Sequence, residues 1–177
     1  MQVTGGFVTA FVVLLRAVNV GGTGKLPMAE LKAMCESAGF AKVRTYIASG
    51  NVVLESKTSE AKVKAALEAK LKAYAGKPVG VLVRTAAEMA ALVKKNPFAK
   101  APPNRTVAVF LDAPPAADAL EHASGRKDEE MRLGEREIFI HYPSGQGASR
   151  LRIPAAAAGT ARNMNTIAKL AAMAAEI

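Results

Sequence analysis

Between Phe11 and Leu15 the chain is apolar without interruption, the pattern of a strand buried on both faces. A loop with three glycines follows, Val20-Gly21-Gly22-Thr23-Gly24, and Pro27 stands where a first helical position belongs. Met28, Leu31, Met34, Cys35 and Ala38 then recur at helical spacing, and Gly39 supplies a stop, which predicts a helix. Residues 43–47 and 52–54 pattern as the strands of a β-hairpin around Ala48-Ser49-Gly50-Asn51. Val63, Leu67, Leu71 and Tyr74 line one face of a second predicted helix, residues 59–74, with lysines opposite. Gly76 and Pro78 end it, and residues 79–83 make a further strand. This β-α-β-β-α-β order is the ferredoxin-like arrangement, with helices on one face of an antiparallel sheet.

Thr85-Ala86-Ala87-Glu88 has the spacing of a capping box, which predicts a connecting helix over residues 86–95. Asn96-Pro97 and Ala101-Pro102-Pro103-Asn104 then break the pattern, and beyond them it begins again. Residues 107–111 form a strand and residues 115–123 a short helix. Residues 129–133 and 137–142 pair around Gly134, and a final helix over 163–175 turns Ile167, Leu170, Ala171 and Ala174 inward. The second order is β-α-β-β-α without a clear closing strand. The expected fold class is therefore α+β, a tandem of two ferredoxin-like (βαββα-type) units with antiparallel sheets and helices on one face. Residues 1–96 form the first unit, connecting helix included, and residues 97–177 the second.

Charge adds a hint about partners. Twenty-four Lys and Arg against fifteen Asp and Glu leave a formal charge of +9, which attracts anions: phosphorylated metabolites, nucleic acid or an acidic protein. The competing reading is a lysine-rich solvated surface, because the charges are not strongly clustered. Aromatic residues are only 5% of the chain and Trp is absent, so platforms for base stacking are thinly supplied and nucleic acid is not the favoured partner. The single cysteine, Cys35, excludes an internal disulfide and a multi-cysteine zinc site; with His122 and His141 far apart, no metal is expected. The first apolar run has no preceding basic residue, stops at Arg16 and falls short of the roughly 20 residues of a membrane span. A cytoplasmic chain without a membrane segment is expected, and no cofactor is named by any motif.

Three segments together resemble a bacterial family catalogued as domain of unknown function 1697. They are Leu14-Leu15-Arg16-Ala17-Val18-Asn19-Val20-Gly21-Gly22, Arg44-Thr45-Tyr46-Ile47-Ala48-Ser49-Gly50-Asn51-Val52-Val53 and Thr160-Ala161-Arg162-Asn163-Met164-Asn165-Thr166, with Lys25, Met28-Ala29-Glu30-Leu31 and Asn96-Pro97-Phe98 extending the match. Ala17 stands where that family commonly has glycine, Ala48 where it often has glutamine, and Met164 where it often has tryptophan. The resemblance implies a bacterial intracellular α+β protein and brings no established activity with it.

The same segments hold the candidate chemistry. Asn19, Gly21, Gly22 and Lys25 precede a helix start, and glycine backbone, a cation and a helix N-terminus are the physics of a phosphate cradle. A nucleotide-triphosphate loop would need glycine at Asn19 and Ser or Thr at Leu26, so that motif fails, and a plain strand-to-helix turn remains the alternative. Ser49-Gly50-Asn51, with Tyr46 before it, is explained by a hairpin turn that wants Gly and Asn at positive φ, or serves a ligand as the resemblance suggests. Asn163 or Asn165 can cap the final helix. Arg162 beside that helix start opposes the helix dipole unless an anion is shared there, which makes Arg162, Asn163, Asn165 and Thr166 a candidate anion-recognition edge. Cys35 lies on an apolar stripe and reads as a core thiol, and His141 as a half-buried strand residue.

These residues, with Arg16, predict a binding protein for a phosphate- or carboxylate-bearing small molecule. The alternatives are an enzyme on such a substrate, using Arg16, Lys25 and Arg162 to stabilise charge, or an interaction module pairing through a sheet edge.

Overall fold

A computed structural model describes residues 7–19 and 25–177. The apolar run becomes β1 (Thr9–Leu15), an inner strand with β3 (Asn51–Ser56) on one side and β4 (Val81–Thr85) on the other. Val13 faces Val52 in one neighbour and Val83 in the other, and β2 (Ala41–Tyr46) closes the edge beyond β3. The strand order is β2-β3-β1-β4, antiparallel throughout.

Phe11, Val13 and Leu15 on one face of β1 pack with Leu31 and Cys35 of α1 (Met28–Ser37) and with Val63, Leu67 and Leu71 of α2 (Glu60–Ala75). Val12 and Leu14 on the other face are buried as well, which is why the run could be apolar without alternation. Pro27 is the residue before α1 rather than its first: it is extended (φ −61°, ψ 140°) and its carbonyl accepts the Leu31 N–H at 3.1 Å. Ser59 caps α2 by accepting the Lys62 N–H at 3.3 Å, and Gly76 stops it at φ +73°. The capping box forms as predicted. Thr85 N–H donates to Glu88 Oε1 at 3.0 Å and Glu88 N–H to Thr85 Oγ1 at 3.1 Å, opening α3 (Ala86–Lys94).

The second sheet repeats the first. β5 (Thr106–Phe110), β6 (Glu130–Leu133), β7 (Glu137–His141) and β8 (Thr160–Asn163) stand in the order β6-β7-β5-β8, again antiparallel, and α4 (Met164–Ala175) follows β8 directly. Two expectations are corrected here. A closing strand exists: β8 is Thr-Ala-Arg-Asn, too short and polar to carry an apolar alternation. The helix expected over residues 115–123 is only a 3-10 turn, Ala119–His122, with Ala119 alone buried. The cluster of Val107, Val109, Ile138, Ile140 and Ile153 is therefore covered by Leu120, Ala123, Leu151 and Ala156 from turns and loops, not by α-helices. Helices on one face describe the first sheet and not this face of the second.

The whole is an α+β fold of two four-stranded antiparallel sheets with four α-helices among the described residues. It divides into two compact units. One runs to Ala90 and includes Leu170–Ile177, and the other is Ala91–Lys169.

Candidate functional site

The end of β1 is where the first unit gathers its polar chemistry. Leu15 N–H donates to Gly50 O at 2.8 Å and Arg16 N–H to Gly80 O at 2.9 Å, so three distant segments meet where the strand stops. The chain then turns through two non-glycine residues at positive φ, Ala17 (+55°) and Asn19 (+54°). Asn19 holds the turn with its amide: Oδ1 accepts the Leu26 N–H at 2.6 Å, and Nδ2 donates to Leu26 O and Ala48 O, each at 2.8 Å. One side chain thus joins Asn19 to Leu26 and ties both to the hairpin turn at Ala48. Gly21 and Gly22, with Val20, Thr23 and Gly24, lie outside the described residues.

The hairpin turn is structural in detail. Gly50 sits at φ +86°, and a Cβ there would lie 2.6 Å from Val18 Cγ2 and 2.9 Å from Leu15 Cβ, so only glycine fits. Asn51 was expected at positive φ beside Gly50, but Ile47 (+50°) takes that conformation and Asn51 begins β3. The buried Asn51 amide instead staples the turn, donating to Tyr46 O at 2.9 Å and Ser49 Oγ at 2.8 Å. Tyr46, Ser49, Gly50 and Asn51 are not among the described lining of the cavity that Arg16, Val18 and Lys25 share, and Gly50 lies against Val18.

That cavity is a cleft of about 410 Å³. Arg16, Lys25 and Lys77 bring three cations to it, and Val18, Leu26, Leu71 and Val79 supply apolar wall. Among the described residues that line it there is no carboxylate, imidazole or thiol. Arg16 and Lys25 belong to the set picked out in the sequence, whereas Lys77 and Tyr74 do not. Tyr74 was expected on the buried face of α2, yet it is 47% exposed at the last turn, beside the cleft. Lys77, between Gly76 and Pro78, was not singled out in the sequence; the signal it offered is a cation just past a helix end.

The Arg162 segment lies in the second unit. Arg162 is in β8, opposite Ala108, and stands beside the start of α4 as expected, directly before the cap Asn163. The buried guanidinium donates to Thr160 Oγ1 at 2.7 Å and Ala161 O at 3.0 Å. Burial pulls its pKa down to about 10, so it stays a cation at neutral pH. Asn163 is the cap of α4, accepting the Thr166 N–H at 2.9 Å; Thr166 is buried and Asn165 exposed. Arg84, missed in the sequence because it ends an apolar run, holds the matching place in the first sheet. It lies opposite Val12, is buried, donates to Val83 O at 3.0 Å, and precedes the cap Thr85.

Cys35 is fully buried, and desolvation, with Glu36 adding to it, pushes its thiol up to about 12, far from a nucleophile's range. His141 is half-buried on β7 with its ring 5.9 Å from that of Phe98. Among the described residues no group of three His, Cys, Asp or Glu could hold a metal ion, and no helix is long and apolar enough to cross a membrane.

A family described as protein of unknown function, DUF1697, matches residues 8–139. The solved structure of a conserved bacterial protein from Streptococcus pneumoniae is similar over 95% of this chain and 99% of its own, at 26% identity and a TM-score of 0.80. No curated protein matches the chain.

Proposed function

The chain belongs to the DUF1697 family of proteins of unknown function, and from that premise we propose that it binds a phosphate- or carboxylate-bearing small molecule in the cleft at the end of β1. The observation that carries the reading is the convergence of Arg16, Lys25 and Lys77 on one cleft that no described carboxylate lines. Like charges brought together repel, and an anion shared between them offsets that repulsion while adding charge-assisted hydrogen bonds. Asn19, Gly50 and Asn51 are the frame of this site, and Arg162 and Asn163 belong to the frame of the second unit. Binding is favoured over catalysis because the described lining offers no carboxylate, imidazole or thiol. A cytoplasmic setting and a tandem of two ferredoxin-like units are part of the same reading. The matching orders β2-β3-β1-β4 and β6-β7-β5-β8 support the tandem.

The test is calorimetric titration of the full chain with inorganic phosphate and citrate at low ionic strength. The wild type should bind at least one of them, with affinity falling as salt rises. Arg16→Ala or Lys77→Ala should weaken that binding about tenfold or more, as the roughly 1.5–3 kcal/mol of a hydrogen bond to a charged group implies. Equal binding by wild type and both variants would remove the cleft from consideration.

A further inference from the structure

Resting on that anion-binding reading, we infer that the ligand of the cleft is a free mononucleotide, its phosphate held by Arg16, Lys25 and Lys77 and its base laid on Tyr74. The argument starts from the two kinds of surface the cleft joins. Its cations call for an anionic group, but inorganic phosphate alone would leave the apolar wall of Leu71 and Val79 uncovered. A ligand that satisfies both has a charged end and an apolar end.

Tyr74 says what kind of apolar end. It is one of few large apolar side chains left exposed, at 47%, and it stands on the same face of α2 as Leu71, three residues before it. A half-exposed aromatic ring lining a cleft with cations is a platform for a planar ring, and such stacking tolerates any base. The volume, about 410 Å³, falls in the range of small-molecule sites and admits one ring with its phosphate. A nucleic-acid strand would need several ring platforms in succession, and Tyr74 is the single aromatic among the described lining residues.

Calorimetric titration of the full chain with AMP, ribose 5-phosphate, adenosine and a single-stranded oligonucleotide tests this. AMP should bind at least tenfold more tightly than ribose 5-phosphate or adenosine, because each lacks one end. Tyr74→Ala should lower AMP affinity about tenfold and leave ribose 5-phosphate unchanged, whereas Tyr74→Phe should keep the wild-type preference. If AMP and ribose 5-phosphate bind equally, the nucleotide assignment falls while the anion site stands. If none of the phosphates binds, the anion site falls with it. An oligonucleotide bound more tightly than AMP would overturn the free-nucleotide assignment and point to a strand.

Discussion

Gly50 shows how little freedom the end of β1 leaves to a single residue. Its φ of +86° would strain any other side chain, and the space a Cβ would need is filled by Val18 and Leu15 at 2.6 and 2.9 Å. Left-handed backbone costs a non-glycine residue roughly 1–2 kcal/mol, and overpacking a core adds about 1–3 more. Gly50→Ala should therefore destabilise the unliganded protein by roughly 2–5 kcal/mol, read as a lowered urea midpoint with unchanged slope. A midpoint within error of wild type would mean that the turn relaxes freely and has no structural claim on glycine. Ala17 presents the opposite case. It holds φ +55° without being glycine, so this chain carries backbone strain in the lining of the cleft. Strain kept at such a place marks a position whose geometry is needed.

At the scale of elements, each sheet ends in the same device: a strand with a buried arginine, then a capping side chain, then a helix. Thr85 caps α3 and Asn163 caps α4. Thr85→Ala and Asn163→Ala should each cost about 1 kcal/mol, within the roughly 0.5–2 kcal/mol span of cap removals, and the two losses should add in the double variant. Chemical denaturation of the three variants reads both quantities, and a loss below about 0.3 kcal/mol at Asn163 would show that water replaces its bond. Elements with strong periodicity were legible in advance: β1, α1, α2, the hairpin and the capping box. β8 was not, because a four-residue strand of Thr, Ala, Arg and Asn has no alternation to show. The cleft was half legible. Lys25 lies in the glycine-loop motif and Arg16 was named beside it, whereas Tyr74 and Lys77 come near through the pairing of Arg16 N–H with Gly80 O, a contact no local pattern announces. The edge strand β2 bears on the interaction-module alternative. Its pairing shifts register between Ala41 and Arg44, Lys42 has φ +51°, and Lys42 and Arg44 pair with Glu55 and Glu176 at 3.2 and 2.8 Å. Bulged, charged edges discourage strand addition, so β2 is a poor template for a partner.

For the molecule as a whole, the last helix has a share in both units. α4 begins in the second unit, but Leu170–Ile177 belong to the first. Leu170, Met173 and Ala174 in that stretch are buried, at 0%, 3% and 2% exposed, and the stretch belongs with the residues up to Ala90. Truncating a single buried Leu or Met to Ala costs roughly 2–5 kcal/mol, against a total stability of about 5–15 kcal/mol for an ordinary domain. Losing all eight residues removes more than the first unit can spare, although none of them lines the cleft. A chain ending at Lys169 should accordingly lose cooperative thermal unfolding of the first unit, become sensitive to protease within residues 25–90, and bind no phosphate. The Arg44–Glu176 pair contributes little to this, since it is exposed and such pairs are worth at most about 1 kcal/mol. Glu176→Ala in the full chain should behave as wild type and so separates the pair from the apolar contacts. If the truncated chain still unfolds in one cooperative step and keeps its phosphate binding, the C-terminal residues are dispensable. The first unit would then end at Ala90 with a complete core of its own.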